Sequence, residues 1–120
     1  MKLILLVEDD LDVRLLLEHV LMAEGYEVLA VGTAASAYLL LDRVHFDLVI
    51  ADGVLMDGDG TEIAQKAIER RAKAIVITGD ALRLPTERLQ LFDYLLKPLP
   101  PQELVKAVHL SLDERIGEPT

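Results

Sequence analysis

Short apolar runs alternate with segments of helical period along most of this chain. Five runs are nearly continuous in Val, Ile, Leu and Ala: Leu3–Val7, Glu27–Val31, and residues 48–51, 74–78 and 94–96. Such runs predict strands buried on both faces, as in a parallel sheet covered by helices, and not the alternating strands of a half-wet sheet. Between the first two, Val13, Leu16, Leu17, Val20 and Leu21 make one apolar stripe, and Gly25 is placed to close that helix. Thr33 is placed to cap a second helix over Ala34–Arg43, and Gly60-Thr61 leads into a third that runs through Arg71. A short fourth helix begins near Pro85 or Thr86, and a fifth follows Pro100-Pro101, from Glu103 to about Glu114. Five strand-then-helix units in series predict one α/β domain over residues 1–120, a doubly wound parallel sheet with helices on both faces. Ligands of such sheets bind at the carboxyl ends of the strands, where strand order reverses.

Composition narrows the reading. With 52% apolar residues and only 4% aromatic, the 120-residue chain has an aliphatic core and is too hydrophobic to be disordered. No stretch reaches the ~20 apolar residues of a membrane helix, and "MKLILLVEDD" turns acidic too soon for a signal peptide. The absence of cysteine removes disulfide and thiol chemistry and fits a cytoplasmic location. Twelve basic against 21 acidic residues leave a net charge of −9, which repels phosphate backbones and argues against direct nucleic-acid binding.

The candidate chemistry sits at strand ends. The stretch "LLVEDDLD" puts Glu8, Asp9, Asp10 and Asp12 directly after the first strand, and Asp52 ends the third. Thr78 ends the fourth strand and Lys97 follows the fifth. Three convergent carboxylates, Glu8, Asp9 and Asp52, cannot all stay ionised without a cation, and an open all-oxygen site suits Mg²⁺. Lys97 adds a point charge for a phosphoryl oxygen and Thr78 a hydroxyl donor. The set is complementary to a phosphoryl group passing to a carboxylate, with Asp52, the acid outside the adjacent pair, as nucleophile.

Five features in order carry a resemblance: Glu8-Asp9 after the first strand, Asp52 after "DLVIA", "GDG" at 58–60, Thr78-Gly79, and "YLLKP" at 94–98. In these the chain resembles the receiver domains of two-component response regulators over nearly its whole length. The resemblance implies a flavodoxin-like (βα)5 sheet with strand order 2-1-3-4-5 and a signalling switch, not an enzyme that turns over an external substrate. By it Asp52 is the phosphoacceptor. Asp9, Asp52 and the main-chain carbonyl of Val54 ligate Mg²⁺, with Glu8 helping through water. Thr78 and Lys97 hold the phosphoryl group, Lys97-Pro98 is a cis peptide, and the rotamer of Tyr94 follows Thr78. The implied partners are a histidine kinase or histidine phosphotransfer protein and an unnamed output target, with no membrane; a homodimer is compatible with the pattern. Three departures stand out: Met56 where the family has proline, Gly53 beside the nucleophile, and a shortened segment between Thr78 and Lys97.

Other acids have plainer roles. Asp12 and Asp59 are expected as helix caps, Asp10 as a neighbour or cap, and Arg70-Arg71 as a solvated helix end. His19, His45 and His109 lack ligand spacing. "DGDGT" at 57–61 imitates the nucleophile motif of haloacid dehalogenase-type phosphatases but lies five residues past a strand. A flavin carrier of the same architecture would need a phosphate cradle where "EDDLD" stands. The end, "LDERIGEPT", is compatible with a stand-alone receiver or with one cut from a longer protein.

Overall fold

A computed structural model describes residues 1–79 and 93–112. In chain order the elements are β1 (Leu3–Val7), α1 (Leu11–Ala23), β2 (Glu27–Val31), α2 (Ala34–Arg43), β3 (Leu48–Asp52), β4 (Val54–Leu55), β5 (Gly58–Asp59), α3 (Gly60–Glu69), β6 (Lys73–Thr78), β7 (Asp93–Leu96) and α4 (Pro101–Ser111). Five strands form one parallel sheet in the order β2-β1-β3-β6-β7. Counted among themselves, these five strands follow the expected order 2-1-3-4-5. The order reverses between β1 and β3, so the carboxyl ends of those strands open a crevice.

The period of two along each central strand splits the core into two layers. Ile4 and Leu6 of β1, Ile50 of β3 and Ile75 of β6 face Leu17 and Leu21 of α1 and Leu104 and Val108 of α4. Leu5, Val7, Val49 and Val76 face the other way, onto Ala37 and Leu41 of α2 and Ile63, Ala64 and Ala67 of α3. The alanines on α2 and α3 let those helices lie close to the sheet. Among the described residues no helix is long and apolar enough to cross a membrane.

Several expectations need correction. β2 and β7 are not buried on both faces, since each is an edge strand with a single neighbour, and Glu27, Leu29, Asp93 and Leu96 are exposed. In α1 only Leu17 and Leu21 are fully buried; Leu16 is 51% and Val13 38% exposed, because the helix meets the sheet along a narrower line than the stripe suggested. The cap of α1 is Asp10, whose carboxylate accepts from Val13 N at 3.0 Å, while Asp12 stands in the first turn. Asp59 does cap α3, accepting from Thr61 N at 2.8 Å. Helix α3 stops at Glu69, before Arg71, which takes φ 66°. There Arg71 N donates to Ile68 O and Ala72 N to Ala67 O, the paired bonds that close a helix through a left-handed residue. Gly25 closes α1 with φ 95°, as expected. Helix α4 begins at Pro101, two residues before Glu103, since proline suits the first helical turn. The expected fourth helix near Pro85 and Thr86, and the fifth helix beyond Leu112, lie outside the described residues.

Candidate functional site

The β1 and β3 ends deliver their acids by backbone pairing. Glu8 N donates to Val31 O at 3.0 Å, carrying the β1–β2 pairing one residue past the strand. Asp52 is the last residue of β3 and pairs in register with Ile77 of β6. Gly53 N then donates to Ile77 O at 2.8 Å, so the chain leaves the sheet beside Thr78. A Cβ on Gly53 would stand 3.5 Å from the Thr78 hydroxyl, which places that buried side chain next to the residue after Asp52. Helix α3 starts hard against the same strand end: Gly60 N donates to Gly53 O at 3.0 Å, and any Cβ on Gly60 would collide with the Asp52 carbonyl. Gly60, the last residue of the "GDG" motif, is therefore a packing requirement under the site.

Five predicted groups meet here. Oxygens of Glu8, Asp9 and Asp52 all lie within 4.8 Å of one another. Lys97 N donates to Thr78 O at 2.8 Å, and its Nζ reaches Asp52 Oδ2 at 3.0 Å. Lys97-Pro98 is cis, as expected. Tyr94, in β7, is half-buried against the core layer under α2 and α3. Val54 N donates to Asp52 Oδ1 at 3.2 Å, and Met56 N donates to Asp9 Oδ2 at 3.0 Å. The loop after β3 thus holds two of the three carboxylates by their oxygens.

Electrostatics shows the cost of this arrangement. Glu8 is only 4% exposed, and burial pushes its carboxyl up to about 7; the Asp10 amide opposes the rise and the Asp52 carboxylate adds to it. Burial alone would lower Lys97, but its ion pair with Asp52 and the nearby Glu8 and Asp9 hold it above the usual lysine range. Among the described residues the one ion pair to these three carboxylates is that of Lys97 with Asp52, which leaves the described cluster short of positive charge. Hard oxygen donors gathered in an open crevice at the strand ends fit Mg²⁺.

Sequence reasoning did not single out Asp57. Its carboxylate accepts from Ala34 N at 2.8 Å and Ala35 N at 3.1 Å, clipping the β4–β5 ribbon to the start of α2. These bonds hold its carboxyl below the usual range. Asp57 and Asp59 both brace helix starts, and Asp57 lies between the short strands β4 and β5, five residues past the end of β3, whereas the phosphatase-like reading of "DGDGT" needs its nucleophile directly after a sheet strand. Arg70 is exposed, as expected of a helix end, yet donates to Leu41 O of α2 at 3.0 Å. His109 Nδ1 meets Tyr26 Oη at 2.9 Å and its Nε2 meets Glu24 Oε1 at 3.1 Å. Arg14 was also missed; its Nη1 donates to the Glu8 carbonyl at 2.8 Å.

Comparison with known proteins bears on the family and the fold. Residues 4–109 match the model of the response regulator receiver domain. The chain is 42% identical over 83 residues to the response regulator receiver protein CpdR of Brucella abortus, covering 68% of this chain and 69% of that protein. Three other curated relatives are longer, and the chain spans only 26% to 51% of their length. A CheY-like receiver from Methanospirillum hungatei superposes with a TM-score of 0.86 at 34% identity, over 95% of both chains. Response regulator TrrA of Thermotoga maritima, solved with Mg²⁺ and a beryllium fluoride, superposes at 0.83 with 30% identity, over 93% of this chain and all of that one.

Proposed function

Because this chain belongs to the response regulator receiver domain family, we propose that it is a phosphorylatable switch that takes its phosphoryl group on Asp52. The observation that carries the reading is the convergence at Asp52: a strand-end carboxylate paired to Lys97, with two further carboxylates within 4.8 Å. A carboxylate oxygen of Asp52 attacks the phosphorus of a phosphohistidine on a histidine kinase or phosphotransfer protein. The P–N bond breaks, the pair of electrons stays on the imidazole, and an acyl phosphate forms on Asp52. Lys97 Nζ, 3.0 Å from Asp52 Oδ2, would neutralise a phosphoryl oxygen, and the hydroxyl of Thr78, beside Gly53, would donate to another.

Asp9, Asp52 and the Val54 carbonyl would hold Mg²⁺ directly and Glu8 through water. When bound, the ion offsets charge on the carboxylates and on the phosphoryl oxygens. TrrA, whose solved complex contains Mg²⁺ and a beryllium fluoride, supports that choice of ion. Drawing Thr78 toward a phosphoryl group vacates space that Tyr94 can turn into, which alters the β7–α4 surface for an output partner in the cytoplasm.

The test is intact-mass measurement after incubation with acetyl phosphate and MgCl₂. One phosphoryl group is expected, lost in Asp52→Asn and in EDTA. Full labelling of Asp52→Asn would overturn the assignment.

A further inference from the structure

We propose that Arg14 is a positioning residue for the acidic site, seated there because residue 32 has no side chain. The inference rests on the reading that Glu8, Asp9 and Asp52 receive Mg²⁺. Arg14 lies in the first turns of α1, half-buried, and its Nη1 donates to the Glu8 main-chain carbonyl at 2.8 Å. That oxygen belongs to the planar peptide joining Glu8 to Asp9, so fixing it fixes the position of the Asp9 Cα from which that side chain leaves the backbone. The same residue is held from the other side, through Glu8 N to Val31 O at 3.0 Å, and Asp10 N donates to the Glu8 carboxylate at 3.1 Å. The acidic pair is thus clamped between β2 and α1, and the α1 half of the clamp is one guanidinium.

Gly32 makes the room. Its φ is not in the left-handed region, so backbone conformation gives no reason for glycine there. The three atoms nearest to a Cβ at that position would all belong to Arg14: Nη1 at 2.5 Å, Cζ at 3.3 Å and Nη2 at 3.8 Å. Since the obstructed atoms are the far end of a flexible side chain, Gly32→Ala displaces the guanidinium and leaves the backbone alone. Two substitutions in different elements should therefore cause the same defect.

The test is a cycle of Arg14→Ala, Gly32→Ala and the double variant, with Arg14→Lys as the conservative variant. Mg²⁺ alone is titrated and read from backbone amide shifts, with thermal unfolding measured separately. Each single variant should weaken Mg²⁺ by about five- to tenfold, a part of the worth of one charge-assisted hydrogen bond, since the bond acts on the metal only through the backbone, and the double should be no weaker than Arg14→Ala. Arg14→Lys should recover part of the loss, and Gly32→Ala should unfold close to wild type. Wild-type affinity in either single variant, or losses that multiply in the double, would overturn the proposal. If wild type takes no Mg²⁺, the metal reading fails, and the positioning role is judged without metal: exchange of the Asp10 amide must quicken about tenfold in both single variants. Unchanged exchange there overturns it.

Discussion

Glu8 shows how far a single residue can depart from its ordinary chemistry when a site requires it. Its carboxyl titrates near 7 in the fold against an ordinary 4.5, chiefly because it is buried. Between those two values the folded chain keeps a proton that the unfolded chain has lost. Stability therefore falls as pH rises from about 4.5 through about 7, by at most a few kcal/mol. Urea unfolding without metal should show a higher midpoint at pH 5 than at pH 8, and Glu8→Gln should flatten the difference. An unchanged midpoint in wild type would mean that Glu8 is ionised in the fold at little cost. A second residue, Val54, bears on how long a phosphoryl group would survive. Its side chain is 74% exposed beside Asp52, and its amide is already used on Asp52 Oδ1. An apolar side chain at that position cannot orient a water for attack on the acyl phosphate, so hydrolysis should be slow. Val54→Asn should quicken the decay severalfold, and an equal or slower decay of labelled protein would count against the idea.

Among elements, the helix ends were the least legible part of the sequence, for a physical reason. Asp10 and Asp12 are the same side chain two residues apart, and only the β-region backbone of Asp10 (φ −78°, ψ 118°) makes it the cap. Asp10→Ala should cost about 1 kcal/mol and leave Mg²⁺ affinity little changed, whereas Asp12→Ala should be nearly silent in thermal unfolding. At the end of α3, Arg71 occupies the left-handed position that glycine usually fills. Arg71→Gly should raise stability by about 1 kcal/mol, and a loss would show that the Arg71 side chain matters more than its backbone strain. The central strands were readable because a run of branched apolar residues buried on both faces is a local signal. The edge character of β2 and β7 was not, because edges are set by which strands pair. Nor was the β4–β5 ribbon, whose two-residue strands are too short for any period. The site's acids and lysine were legible because each stands at a strand end. The contact of Arg14 with Glu8 was not, since an arginine in a helix and a glycine in a loop are ordinary until the two are seen to share one space.

At the scale of the whole molecule, the fold gathers part of its −9 charge into one crevice and accepts instability there. The two core layers and the five-stranded sheet could support neutral residues at these strand ends with fewer unfavourable contacts. Asp9 gives the cleanest measure of that cost. It is partly exposed, has oxygens within 4.8 Å of those of Glu8 and Asp52, and is not the acid paired with Lys97. Asp9→Asn keeps an oxygen for the Met56 amide and removes one charge. Discounted for solvent, the relief should be on the order of 1 kcal/mol, or roughly 3–6 °C in melting temperature for a chain of this size. Raising the salt should narrow the gap between variant and wild type, because screening already does part of what the substitution does. Saturating Mg²⁺ should reverse the order: at about 100 times its dissociation constant it adds roughly 2.7 kcal/mol to wild type, and little to a variant that has lost a ligand. The measurement is a set of four melting curves, each protein with and without MgCl₂ at neutral pH. If Asp9→Asn melts below wild type in the absence of metal, hydrogen bonding to Asp9 outweighs repulsion, and the acidic crevice is not where this fold gives up stability for its site.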